Sequence, residues 1–363
     1  MINELLILFA VMLIGVAIGR VKFHSFSLGV SGALYVGLIF GHFGFEVSHE
    51  FFELSLLVFV TSVGLLASRD IGHIVMKHGA KLVILAIAIT GSAALLTVLF
   101  QSAYSYPQKA LIEGVFTGAL TSSPGLGASL EVTNNPELVT IGHSVAYLVG
   151  VISVILFVQI VPMICKTNVD MERSKFSSGF DRKGGKPVYS IVMFSLAVVA
   201  GGLIGMIPIP LGPLGSVTLG NTGGGLIGGL LVGGFIKRFR GIEPSAAVLS
   251  PLREMMLAMF LAVVGLEAGK GFVGVVTAYG ASLLGISAVV ALVPMTIGLI
   301  LGRLLWHMDL VTLMGGITGG MTSTPGLGAA IDFYETEDIG AGYGAAYPFA
   351  IICMVVFAKL LTL

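Results

Sequence analysis

The segment Thr121-Ser122-Ser123-Pro124-Gly125-Leu126-Gly127-Ala128 returns 201 residues later (322 − 121) as Thr322-Ser323-Thr324-Pro325-Gly326-Leu327-Gly328-Ala329, with one substitution. The context returns too. Gly118 precedes the first copy as Gly319 precedes the second, and an acid follows each proline by seven residues, Glu131 and Asp332. Val63-Gly64-Leu65 stands 201 residues before Val264-Gly265-Leu266, and Gly142 and Tyr147 stand 200 before Gly342 and Tyr347. A duplication covering nearly the whole chain therefore has to be folded twice, and each copy has to place a proline, two glycines and three hydroxyls in the middle of an apolar run.

Those apolar runs fix the solvent. The 363 residues are 56% hydrophobic and 10% charged, against roughly 25% charged in soluble domains. The expected class is an all-α integral membrane protein. Runs of spanning length lie at 4–20, 51–68, 80–100, 138–164, 188–206, 217–236, 252–268, 275–302 and 338–361, with a shorter glycine-containing run at 27–41. Glu4 stands where a signal peptide would be basic, so 4–20 is expected to be a retained first helix. Cys165 and Cys353 read as small membrane hydrophobes rather than a disulfide.

Charge then orients the spans. With the N-terminus outside and each motif segment dipping in and returning, sixteen basic residues fall inside. They are Arg20, Lys22, Arg69, Lys77, Lys81, Lys166, Arg173, Lys175, Arg182, Lys183, Lys186, Lys237, Arg238, Arg240, Arg253 and Arg303. Only Lys109, Lys270 and Lys359 fall outside, which is the asymmetry the positive-inside rule asks for. The expected organisation is two inverted-topology repeats, each of five transmembrane helices plus a re-entrant or broken segment, with both termini outside. Residues 1–165 form the first repeat, 166–187 a cytoplasmic linker and 188–363 the second repeat. Inverted repeats with broken segments meeting at the bilayer midplane are the architecture of secondary transporters.

Pro124 and Pro325 each remove a backbone donor and obstruct a continuous helix, and Gly125 and Gly326 permit the sharp turn that follows. The expected substrate site is Thr121 to Leu126 together with Thr322 to Leu327: hydroxyls of Thr121, Ser122, Ser123, Thr322, Ser323 and Thr324 beside the N-terminus of a new half-helix, whose free amides and dipole suit a carboxylate. Tyr147 and Tyr347 match between halves and are candidates to line it. Glu131, Asp332 and His143 are candidate coupling-ion groups, because ionisable residues at membrane depth are costly. Interleaved glycines in 220–233 read as close helix contacts, to another protomer or within the chain. No pattern for a catalytic set, a metal, a nucleotide or another cofactor appears, and the zero net charge leaves no basic patch for nucleic acid. A carboxylate or amino-acid carrier, a cation/proton antiporter using Glu131 and Asp332, and a passive channel all remain open on these residues.

The paired Gly-x-x-Thr-Ser-Ser/Thr-Pro-Gly-Leu motifs and the run Gly342-Tyr343 to Tyr347-Pro348-Phe349 resemble the aspartate:alanine exchanger family, over both membrane halves. That resemblance implies a multi-pass transporter of the bacterial inner membrane. It would exchange aspartate, alanine or related carboxylates down substrate gradients as a homodimer. Members of that family usually carry a large cytoplasmic segment between the halves, where this chain has only 166–187.

Overall fold

The computed structural model describes residues 2–21, 29–69, 71–104, 108–165, 167–169, 171–172, 186–269, 274, 277 and 281–362. Lys22, Lys166, Arg173, Lys175, Arg182, Lys183 and Lys270 lie outside the described residues, as do most of the linker and the first residues of the runs at 27–41 and 275–302. The first half runs α1 (Ile2–Gly19), α2 (Gly32–His42), α3 (Glu50–Ala67), α4 (Ile71–Ala103), α5 (Gln108–Ala119), α6 (Ser123–Leu130) and α7 (Pro136–Ile164). The second runs α8 (Ile191–Gly205), α9 (Gly220–Arg240), α10 (Ala246–Gly269), α11 (Ala281–Leu299), α12 (Leu310–Gly320), α13 (Thr324–Tyr334) and α14 (Ile339–Thr362). Among the described residues, seven helices are long and apolar enough to cross a membrane, by length and composition. The expected runs at 27–41 and 188–206 appear as the shorter apolar helices Gly29–His42 and Ile191–Gly205, and the expected span at 217–236, in α9, is not among the seven. Two small pairings join loops: Lys186–Val188 runs parallel to Ile242–Pro244, and Ile209–Pro210 pairs antiparallel with Ser216–Val217.

Packing repeats between the halves, and glycine sets it. α1 lies on α2 where Gly15 meets Ala33, and α8 lies on α9 where Gly201 and Gly205 meet Gly224 and Gly220. α2 crosses α10 through Gly37, Gly41 and Gly265, just as α9 crosses α3 through Gly229 and Gly64. α5 sits on α7 through Gly114 and Gly118, and α12 sits on α14 through Gly315 and Gly319. At each of these glycines except Gly220, a Cβ would collide with the backbone of the facing helix. In a bilayer, where apolar burial gives no net drive between helices, such close backbone approach is the main source of attraction. The two stripes of α9 serve different neighbours within the chain: Gly224 and Gly228 face α8, while Gly225, Gly229 and Gly233 face α3. In an isolated helix each glycine would cost about 1 kcal/mol relative to alanine, so α9 depends on these two neighbours.

The helices sort into two groups by these contacts. α1, α2, α3, α8, α9 and α10 form one, with α3 and α10 packed together at its centre. α4, α5, α6, α7, α11, α12, α13 and α14 form the other, in which α4 packs on α14 and α11 on α7. Ion pairs pin the helix ends. Glu4 accepts from the Ser48 N–H, Lys359 pairs with Glu131 at 2.6 Å, and Gln101 donates to the Leu361 carbonyl. At the opposite ends of the same helices, Arg253 pairs with Glu337 at 3.1 Å and Lys81 donates to the Trp306 carbonyl. Nearly buried Glu172 binds Arg303 at 3.3 Å and accepts from the Leu310 N–H that opens α12.

Candidate functional site

Each repeated motif is a break between two short helices, and both breaks are built alike. Thr121 and Thr322 take φ of +54° and +51°, a left-handed conformation that is a true outlier for a β-branched residue. Strain of this kind costs on the order of 1–3 kcal/mol and collects at functional sites. It reverses the chain so that Ser122 and Ser323 become N-caps of α6 and α13, their hydroxyls accepting from the Gly125 and Gly326 amides at 3.2 and 3.1 Å. Leu126 and Leu327 amides bond the carbonyls of the same two serines.

The caps narrow the anion site the sequence pointed to. Proline at the second position has no N–H, and serine takes the amide of the third. Each half-helix therefore presents one amide, that of Ser123 or Thr324, together with their hydroxyls and the positive dipole end. A helix of eight residues, such as α6, carries only part of a full macrodipole.

The two breaks touch. The Thr322 hydroxyl donates to the Leu120 carbonyl at 2.8 Å. Each half-helix also leans on the last helix of the other half: a Cβ on Gly125 would meet Met354 of α14, and one on Gly326 would meet Val154 of α7. A cavity of about 40 Å³ lies at the junction, lined by Thr121 to Pro124, Thr322, Thr324 and Pro325, with both Tyr147 and Tyr347. Its opposite wall comes from the other helix group: Phe52 and Leu56 of α3, Thr222 of α9 and Phe260 of α10. The site thus sits between the two groups of helices.

A larger cavity of about 280 Å³ adjoins it, sharing Phe52, Ser123 and Tyr147 and adding His49, His143, Ser144 and Glu267. It opens on one motif only. Ser123 is exposed, whereas its counterpart Thr324 is 6% exposed. His49 Nδ1 and Glu267 Oε1, 2.7 Å apart, bridge the ends of α3 and α10 at its rim. His143 is fixed from behind. The Thr117 hydroxyl donates to the Gly114 carbonyl at 3.0 Å and lies 2.9 Å from His143 Nδ1. The His143–Tyr147 ring pair at 5.7 Å corresponds in the second half to Tyr343–Tyr347 at 5.0 Å.

The structure brings the twelve motif residues, both tyrosines and His143 to this region and leaves the two acids apart from it. Glu131 ends α6 with 62% of its side chain exposed on Lys359, and Asp332 accepts from the Val30 N–H at 3.1 Å near the end of α13. Gly125, Leu126, Gly326 and Leu327 lie within α6 and α13 and do not line the cavity; the turn expected of the two glycines falls instead on Thr121 and Thr322. Sequence reasoning missed Phe52, Leu56, Thr222, Phe260, His49 and Glu267. Only Glu267, a lone acid near the end of an apolar run, offered a signal.

Comparisons with known proteins agree on class. An uncharacterized transporter of Bacteroides fragilis is 24% identical over an alignment of 519 positions, covering 98% of this chain and 97% of that protein. The alignment is far longer than 363 residues, so that relative carries an insertion this chain lacks. Uncharacterized transporters of Desulfotalea psychrophila and Rhodopirellula baltica are 34% and 40% identical over 52% and 44% of this chain, and over 34% and 29% of their own lengths. No solved structure matches. A family profile described as a predicted permease membrane region matches residues 7–163 and 193–363, one stretch in each half. With nearly all of its length matched in this way, the chain belongs to the predicted permease membrane region family, a membrane transporter family.

Proposed function

We propose that this chain is a secondary active exchanger of small carboxylates or amino acids, in the aspartate, alanine and dicarboxylate range, working by alternating access at the paired motifs. The observation that carries the reading is the meeting of two serine-capped, left-handed breaks between two helix groups, with a cavity opening on one of them. Helix N-termini at membrane depth are how uncharged protein groups hold a carboxylate without an arginine.

The contacts support re-entrant hairpins of opposite entry. α5 starts just after α4 ends, and α6 ends at Glu131, on Lys359 of α14, whose neighbour Leu361 bonds Gln101 near that same end of α4. α12 starts beside Trp306, which Lys81 in the opposite part of α4 holds, and α13 leads into Glu337 at the start of α14. Two repeats of five spans and a hairpin, 1–165 and 188–363, then lie inverted about the linker 166–187. Both termini lie on the outer side of the bacterial inner membrane. The two helix groups give a natural division into a motif-bearing bundle that moves as an elevator and a glycine-packed scaffold that forms the homodimer. Cation coupling through Glu131 and Asp332 gains no support, since each carboxylate is engaged at a hairpin end.

Thermal unfolding of purified protein against amino acids and dicarboxylates, with and without Na⁺, tests this. Stabilisation by a carboxylate that is lost in Ser123→Ala and Thr324→Ala is expected, with trans-stimulated counterflow in proteoliposomes. Stabilisation by Na⁺ alone would instead favour an antiporter, and flux without trans-stimulation a channel.

A further inference from the structure

A groove of about 480 Å³ between α1 and α10 takes no part in the motif site. One wall is a single face of α1, Phe9, Leu13 and Val16, and it ends at Arg20. The other is a single face of α10, Pro251, Met255 and Ala258, with Glu254 on the same stripe. Spacings of three and four residues put each set in line along its helix. The apolar walls are open: Phe9 is 50% exposed and Leu13 72%.

Its length has a meaning in a bilayer. From Phe9 to Arg20 an α-helix rises about 17 Å, roughly half of a hydrocarbon core about 30 Å thick. The groove is therefore one leaflet deep and opens at the interface. There Arg20 and Glu254 stand 4.0 Å apart, with 74% and 46% of their side chains exposed. At that distance and exposure the pair holds itself weakly, and each charge is available to a ligand carrying the opposite one.

We propose that this groove binds a phospholipid of the phosphatidylethanolamine class. One acyl chain lies between α1 and α10, the phosphate sits on the Arg20 guanidinium, and the primary ammonium sits on the Glu254 carboxylate. The headgroup follows from the charge pattern. A phosphatidylglycerol headgroup offers Glu254 no cation, and a choline headgroup offers it no N–H donor. Val30 also lines the groove, and its N–H is the donor to Asp332 of α13. The bound lipid thus packs against the residue that holds the end of the second motif segment. The proposal is independent of the substrate reading, because it needs only that the chain spans a bilayer and that the homodimer leaves this face of α1 open to lipid.

Native mass spectrometry of the detergent-purified protein, titrated with phosphatidylethanolamine, phosphatidylglycerol or phosphatidylcholine of matched chains, tests it. The wild type is expected to retain phosphatidylethanolamine selectively. Arg20→Gln should weaken that retention about fivefold, and Glu254→Gln should weaken it while raising phosphatidylglycerol retention, a reversal that loss of folding does not produce. Leu13→Trp, which fills the apolar trough, should lower retention of phosphatidylethanolamine with the melting temperature unchanged. Equal retention of all three lipids, or a dimer whose formation shields α1 and excludes lipid, would overturn the proposal.

Discussion

Thr322 and Thr121 occupy equivalent positions and have opposite fates, which makes them a controlled experiment on the junction. The Thr322 hydroxyl donates to the Leu120 carbonyl at 2.8 Å in a buried setting. The Thr121 hydroxyl is buried too, yet has no hydrogen-bond partner among the described residues. Valine is close to threonine in shape and is also β-branched, so the cost of left-handed φ at +51° and +54° is shared by parent and variant and cancels. Thr322→Val leaves a buried carbonyl unsatisfied, at about 1–3 kcal/mol. Thr121→Val removes an unpaired buried hydroxyl, whose desolvation had gone uncompensated, and is expected to be neutral or stabilising by up to about 1 kcal/mol. With roughly 2 °C per kcal/mol for a chain of this size, Thr322→Val should melt about 2–6 °C lower and Thr121→Val no lower than the parent. The free thiols of Cys165 and Cys353 report unfolding in detergent through a thiol-reactive dye. Equal destabilisation by both valines, or a larger loss at Thr121, would refute the reasoning.

Two further perturbations follow from the packing. Gly229→Ala would put a Cβ 2.7 Å from the Leu65 amide nitrogen and the Thr61 carbonyl, backbone atoms that cannot yield. It should separate α3 from α9 and cost about 1–3 kcal/mol, while Gly234→Ala, where nothing lies near, should stabilise α9 by up to about 1 kcal/mol; paired melting curves decide. Glu172→Gln removes the charge that binds Arg303 and weakens the acceptor for the opening amide of α12. A loss of about 2 kcal/mol is expected, together with a shift in emission of Trp306, the single tryptophan. An unchanged spectrum would mean that Glu172 does not anchor this end of α12.

What the sequence made legible was what repeats. The duplicated motif marked both breaks, although the turn falls on Thr121 and Thr322, three residues before each proline, and Ser122 and Ser323 cap the helices that follow. The glycine stripes of α9 also announced close contacts, although only the fold assigned them to α8 and α3. The wall opposite the motifs was hidden for a physical reason. Phe52, Leu56 and Phe260 are apolar residues in apolar helices, and nothing in period or composition separates a cavity-lining phenylalanine from a buried one such as Phe59. The acids misdirected attention in the other direction. Glu131 and Asp332 sit at equal offsets from their prolines, yet α6 and α13 carry them away from the junction towards their far ends, where Lys359 and the Val30 amide meet them.

The halves share a motif and differ in its surroundings, and under the proposed alternating-access reading that difference is informative. Ser123 is exposed while Thr324 is buried, and the Thr322 hydroxyl is hydrogen-bonded while that of Thr121 has no partner among the described residues. Two copies of one sequence hold two environments, so an exchange of those environments would exchange their hydrogen bonds. A state open on the second motif would give up the Thr322 bond to Leu120 and form the pseudo-symmetric bond from Thr121 to the Met321 carbonyl. Each hydrogen bond broken in one half has an equivalent that forms in the other, which keeps two such states within the few kcal/mol that ligand binding is able to shift. Where the halves differ in residue, that balance is broken. His143, held by Thr117 at 2.9 Å, stands where the second half has Tyr343, 3.5 Å from Thr324. Replacement of His143 by tyrosine and of Tyr343 by histidine should therefore move the balance between the two openings in opposite directions, and solvent accessibility of single cysteines at Ser123 and Thr324 reads that balance directly.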